Sequence, residues 1–215
     1  MLLSIIFGAL GEAYIPGVII ARGDAARTAA NLLAHPTLFR LGFATYLVEG
    51  ICDVALSVFF YIILKPVDRN LALLSAFFGI ASMVLYAFAE SSYYAAGLVV
   101  SDSAGMAAFD VAQRSALVLL AFRIFSTVAG LFLSLYGIAS MLRGYLIMRS
   151  RYLPAWLGVL LIIGGAGFFF RTATLLLAPA FSSALLLVPM SLAGIPLTLW
   201  LLLRGLDTSR LVAEA

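Results

Sequence analysis

Hydrophobic positions in this chain fall into six runs, separated by short stretches rich in charge, proline and glycine. The runs cover about 2–20, 38–64, 71–94, 116–148, 155–177 and 184–203. A helix rising 1.5 Å per residue needs about 20 apolar residues to cross a hydrocarbon core of ~30 Å, so each run predicts a transmembrane helix. The second run stops at Lys65-Pro66, where proline withholds a backbone donor and crowds the preceding turn. The fifth follows Pro154, a residue suited to a first helical turn. The fourth is longer than a bilayer needs and should tilt or project. The first is interrupted by Glu12 and Pro16.

Between the first two runs lies a polar, alanine-rich segment, about 24–35. Asp24 suits a helix N-cap, the alanines favour helix, and His35-Pro36 ends it. With Leu32 and Leu33 as a weak apolar side, the segment predicts a short helix lying at the membrane interface. The expected fold is therefore all-α: a polytopic bundle of about six spans plus one interfacial helix, in one integral membrane domain over 1–215.

Composition agrees with the pattern. Apolar residues make up 64% of the 215 and charged residues 11%, with a mean hydropathy of +1.14. A soluble fold of this size could not cover so much apolar surface. The partner is the lipid bilayer, with a small-molecule or lipid-like ligand the only further one to expect. A net charge of +3, scattered along the chain, gives no nucleic-acid footprint. The lone Cys52 allows no intramolecular disulfide, and the single His35 excludes a multi-histidine zinc site. No metal site or cofactor is expected.

Lysines and arginines set an orientation. With both termini in the cytoplasm, Lys65, Arg69, Arg143, Arg149, Arg151, Arg204 and Arg210 lie inside, and Arg22, Arg27, Arg40 and Arg114 outside. That bias favours both termini in the cytoplasm and the plasma membrane as the location. Leu2 to Ile20 lacks a basic flank and a small-residue cleavage site, so it reads as a span rather than a signal peptide. Trp156, Trp200, Tyr93 and Tyr94 fit aromatic belts at the interfaces.

The candidate chemistry lies in charges inside apolar runs: Glu12, Glu49, Asp53, Arg123 and Arg171, with Glu90 near the end of another. Ionisable groups at membrane depth are costly and mark functional sites by default. Glu49 and Asp53, one turn apart, together cost roughly 5–7 kcal/mol on the insertion scale. The dozen or so Leu, Ile, Val and Phe residues of that run return about 4–7 kcal/mol, so the span relies on its neighbours.

Small and polar residues align with the charges at helical spacing. The second run gives Thr45, Glu49, Cys52, Asp53 and Ser57; the third, Ser75, Gly79, Ser82, Tyr86 and Glu90. The fourth gives Arg123, Ser126, Thr127, Gly130 and Ser134; the fifth, Gly164, Gly167, Arg171 and Thr174. Such stripes mark helix faces turned toward other helices. They predict an acid-and-arginine cluster opening toward the outer face.

Three functions fit that cluster. It binds or conducts a small polar or amphipathic solute or protons. It is the site of an intramembrane enzyme using paired carboxylates on a lipid-like substrate. Or the arginines neutralise Glu12, Glu49 or Asp53 and only fix helix packing, as in an accessory protein. No positioned nucleophile is evident, and no catalytic residue can be assigned.

Three motifs carry a resemblance. They are residues 23–35 followed by Leu38-Phe39-Arg40-Leu41-Gly42; Leu64-Lys65-Pro66-Val67-Asp68-Arg69-Asn70-Leu71 with Ala72-Leu73-Leu74; and Arg149-Ser150-Arg151-Tyr152-Leu153-Pro154 with Leu157-Gly158. Over nearly its whole length the chain resembles the bacterial multi-pass membrane proteins grouped as domain of unknown function 4386. The resemblance implies about six helices and brings no activity or catalytic residue. In the second span, Asp53 is the acid that matches the family pattern. The chain departs at Phe78-Gly79-Ile80, where an arginine and a glutamate are common. It also has almost no leader before its first span, a hint of a trimmed or misassigned start.

Overall fold

The computed structural model describes residues 1–21, 23–101 and 104–207. Seven helices account for most of them: α1 (Leu2–Ile19), α2 (Ala25–Ala34), α3 (Pro36–Leu64), α4 (Arg69–Val100), α5 (Val111–Arg149), α6 (Ala155–Leu177) and α7 (Val188–Leu203). No strand is present among the described residues. Short 3-10 turns occur at Ala104–Met106, Pro179–Phe181 and Ala184–Leu187, the last leading into α7. Helices α1 and α3 to α6, and α7 taken together with its 3-10 turn as Ala184–Leu203, are long and apolar enough to cross a membrane. The protein is a membrane-embedded, multi-pass helical protein.

At α3 the helix begins with Pro36 at its first position, where a missing N–H costs nothing. Helix α4 continues past residue 94 to Val100. Helix α5 runs for 39 residues, far beyond the span of a bilayer.

Pro16 shapes α1. Over Ala9–Tyr14 the helix widens to π-type bonding, and Ile15 N–H donates to Leu10 O, five residues back. The next donor in that pattern would be residue 16, which has none. The Gly11 carbonyl is thereby left for an outside donor. Tyr46 supplies one, its hydroxyl 2.6 Å away.

Helix α2 forms as its capping residues dictate. Asp24 Oδ1 accepts from Arg27 N–H at 2.8 Å, and the chain turns in through Gly23 at φ +78°. Thr28 and Leu32 are buried, and Thr28 Oγ1 and Ala21 exchange hydrogen bonds that hold α2 to the end of α1. Asn31 Nδ2 donates to Ile19 O at 3.2 Å. Leu33 and His35 remain exposed.

The chain divides into two compact units. An N-terminal unit comprises Leu3–Ile51 and Leu85–Ala129, and a C-terminal unit comprises Met1–Leu2, Cys52–Val84 and Gly130–Ala215. In the N-terminal unit the core is aromatic. Phe39 stacks on Tyr93 with ring centroids 4.6 Å apart, and Phe122 and Phe125 meet the edges of Tyr93 at 5.6 Å.

In the C-terminal unit, α5 and α6 approach backbone to backbone. A Cβ built on Gly137 would lie 2.5 Å from Gly165 O, and one on Gly165 would lie 2.4 Å from Gly137 O. Gly144 and Gly158 repeat this reciprocal contact at the same distances. One further heptad along, Thr172 Oγ1 donates to Gly130 O at 2.6 Å. Small residues thus recur every seven positions on both helices, the register of an antiparallel left-handed pair. Gly164 and Gly167 play the same part against Met190 and Leu186, so these glycines serve helix packing.

Candidate functional site

The N-terminal unit collects acids and tyrosines. Glu49 on α3 and Glu90 on α4 are buried, and Glu12 lies in the π-segment of α1 with its side chain exposed. Gly8 opens the space for Glu49: a Cβ there would stand 2.5 Å from Glu49 Oε1. Tyr86 donates its hydroxyl to Glu49 Oε2 at 2.5 Å. Tyr46 meets the edges of Tyr86 and Tyr93 at 5.8 and 5.4 Å between centroids.

Each tyrosine hydroxyl here has a use. Tyr46 donates to Gly11 O, Tyr86 to Glu49, and Tyr93 to Phe39 O at 3.5 Å. None of these donors reaches Glu90. Its residue is 6% exposed, and both carboxyl oxygens are buried with no hydrogen-bond partner among the described residues. Glu12 and Glu49, both of its own sign, lie within electrostatic range of Glu90. An ionisable group in that state is a strong anomaly, because buried polar atoms are nearly always paired.

The C-terminal unit holds a different arrangement. Arg143 on α5 is 3% exposed, and its Nη2 donates to Ser57 Oγ at 3.0 Å. Its guanidinium carbon sits 5.1 Å from the Phe60 ring centroid and 5.7 Å from that of Tyr136. The Tyr136 side chain is hydrogen-bonded to it, and Asp53 lies within electrostatic range. Gly79 leaves room for the guanidinium: a Cβ there would lie 2.6 Å from Nη2. Gly79 is therefore the floor under this arginine. Ser57 Oγ also donates to Asp53 O at 2.9 Å, tying the pair to one turn of α3.

Against expectation, the arginines divide. Arg123 is exposed, as are its stripe mates Ser126 and Thr127. The buried face of α5 at that level is Val118, Ala121, Phe122 and Phe125, which pack into the aromatic core and turn the polar stripe outward. Arg171 is half-buried, with an Nε that has no hydrogen-bond partner among the described residues. An arginine set against an acid is found instead at Arg143, near Asp53 and on the expected cytoplasmic flank. Among the cations that set the expected orientation, Arg22 and Arg210 lie outside the described residues.

Two more assignments change. Tyr93 is wholly buried rather than in an interfacial belt, whereas Tyr94 is exposed. The signal was present in sequence: Tyr86, Glu90, Tyr93 and Gly97 continue the small-and-polar stripe of α4 at i+4, i+7 and i+11. Cys52 is a half-buried free thiol.

Comparison with curated proteins and comparison with solved structures each give no match. The family model for domain of unknown function 4386 matches residues 1–205, nearly the whole chain and both of its polar clusters. With its six membrane-crossing helices, this chain belongs to the domain of unknown function 4386 family.

Proposed function

We propose that the acid-and-tyrosine site of the N-terminal unit binds a positive charge at membrane depth, either a proton or a small amphipathic cation. Exchange of that charge with the aqueous phase is the protein's activity in this reading. The observation that carries it is Glu90, whose two buried oxygens have no hydrogen-bond partner among the described residues and which lies within electrostatic range of Glu12 and Glu49. In hydrocarbon such a group calls for a positive partner. Tyrosine rings around a carboxyl add the electron-rich faces that cations favour. The π-segment supports the reading as well, because such bulges concentrate at functional sites.

The test uses purified protein and Glu90→Gln, which keeps the shape and removes the charge. Thermal unfolding in detergent is measured against tetraphenylphosphonium and, as the matched anion, tetraphenylborate. Proteoliposomes with a trapped pH dye report proton movement after an external pH jump. Wild type should show cation-selective stabilisation or proton flux, and Glu90→Gln should fold in equal yield and lose it. A wild type negative in both arms, or a Glu90→Gln protein indistinguishable from wild type, overturns the proposal.

We also infer that both termini face the cytoplasm, on the basis of the cations exposed at one end of the C-terminal unit. A tag placed at either terminus should become reachable only after the inner face of the membrane is opened.

A further inference from the structure

Five exposed cations gather at one end of the C-terminal unit. The C-terminal ends of α3, α5 and α7 and the N-terminal ends of α4 and α6 meet there, with Tyr152 hydroxyl donating to Ile63 O and Trp200 packing on the same buried cluster. Lys65, Arg69, Arg149, Arg151 and Arg204 all stand at this end with exposed side chains. The acids at this end, among the described residues, are Asp68 and Asp207. Asp68 is engaged as a helix cap, its Oδ1 accepting from Asn70 and Leu71 N–H at 3.0 Å.

Aromatic rings lie among these cations. Arg204 is 5.0 Å over the Trp200 ring, Arg149 is 5.7 Å from that of Tyr145, and Trp200 meets Trp156 edge-on at 6.3 Å. Tryptophan and tyrosine settle at headgroup level, where one part of the ring is apolar and another wet. Cations held on such rings lie at the depth of lipid phosphates, and a guanidinium binds phosphate through paired donors.

We propose that this end of the C-terminal unit binds the headgroups of anionic phospholipids. The site is independent of the acid-and-tyrosine reading, and either can fail without the other. It takes phosphate-bearing lipid of net negative charge and rejects zwitterionic lipid, because five cations against two acids favour a net anion.

The protein carries a built-in probe, since Trp156 and Trp200 are its only two tryptophans. Detergent-solubilised full-length protein is titrated with phosphatidylglycerol or phosphatidylcholine while intrinsic fluorescence is followed. Phosphatidylglycerol should give a saturable change as phosphate draws Arg204 from the Trp200 ring, and phosphatidylcholine should give none. Raising the salt to 0.5 M should weaken the response, as screening requires. The triple variant Arg149→Gln, Arg151→Gln, Arg204→Gln should need at least tenfold more lipid. The triple lysine variant at the same positions guards against misfolding and should retain selectivity for the anionic lipid. Equal responses to both lipids, a glutamine variant that folds and titrates like wild type, or full reproduction of the change by glycerol 3-phosphate would each overturn the site.

Discussion

Tyr86 reaches from α4 to α3 and donates its hydroxyl to Glu49 Oε2 at 2.5 Å, inside the aromatic core of the N-terminal unit. A hydrogen bond to a carboxyl group buried in a core is costly to lose. Tyr86→Phe should therefore lower unfolding stability in detergent by about 1–3 kcal/mol. Glu49→Gln keeps an acceptor for the same hydroxyl and should cost less. Thermal unfolding of the two variants gives the order. The reverse order would show that the carboxyl serves something other than this bond.

The α5–α6 contact predicts a steeper response from glycine. At Gly144, Gly158 and Gly165 an added methyl would meet a backbone carbonyl oxygen at 2.4 or 2.5 Å, and neither helix can yield there without moving whole. Gly165→Ala and Gly158→Ala should each cost about 1–3 kcal/mol through overpacking. Gly17 is the control, since nothing stands within 4 Å of its Cβ position. Gly17→Ala should be neutral or stabilising by up to about 1 kcal/mol, because alanine is the better helix former. Equal effects at Gly165 and Gly17 would refute the close approach.

Arg143 and Asp53 predict a coupled pair. Arg143→Met removes the cation from a buried setting and should destabilise by about 3–5 kcal/mol, the range found when one buried partner is lost. Arg143→Lys keeps the charge but not the planar fork that reaches Ser57 and stacks between Phe60 and Tyr136. It should fall between wild type and the methionine variant. Adding Asp53→Asn to Arg143→Met should recover part of the loss, giving a coupling energy of about 0.5–3 kcal/mol in a double-mutant cycle. Additive effects would show that the two charges do not sense each other.

Legibility in the sequence followed how each polar group is satisfied. On α3 and α4 the stripes were readable, because Thr45, Glu49, Asp53, Ser57, Ser75, Gly79, Ser82, Tyr86 and Glu90 all lie buried at helical spacing. On α5 the same reading misled. Thr127 bonds Arg123 O of its own helix at 2.9 Å, so it needs no neighbour and tolerates an outward position. Arg143 was hidden for a different reason: it sits six residues before the end of α5, where an arginine reads as a flank, and Ser57, Phe60 and Tyr136 enclose it. The heptad of Gly130, Gly137 and Gly144 was present in sequence. Its meaning required the matching small residues of α6.

Arg123 separates the sequence expectation from the structure most sharply. If this arginine compensated a buried acid, Arg123→Leu would leave that acid uncovered and cost about 3–5 kcal/mol. Its side chain is exposed beside Ser126 and Thr127, so the substitution should change stability in detergent by no more than about 0.5 kcal/mol. In a bilayer the same change should help. Arginine at a helix centre costs roughly 2.5–3.5 kcal/mol on the insertion scale and leucine returns about 0.5, so α5 should insert more readily by about 3 kcal/mol. Unfolding in detergent and insertion yield in membranes, measured on one variant, read the two terms apart. A loss of 3 kcal/mol in detergent would return Arg123 to the acid cluster, whereas a neutral result with higher membrane yield keeps Arg143 as the arginine that the fold encloses.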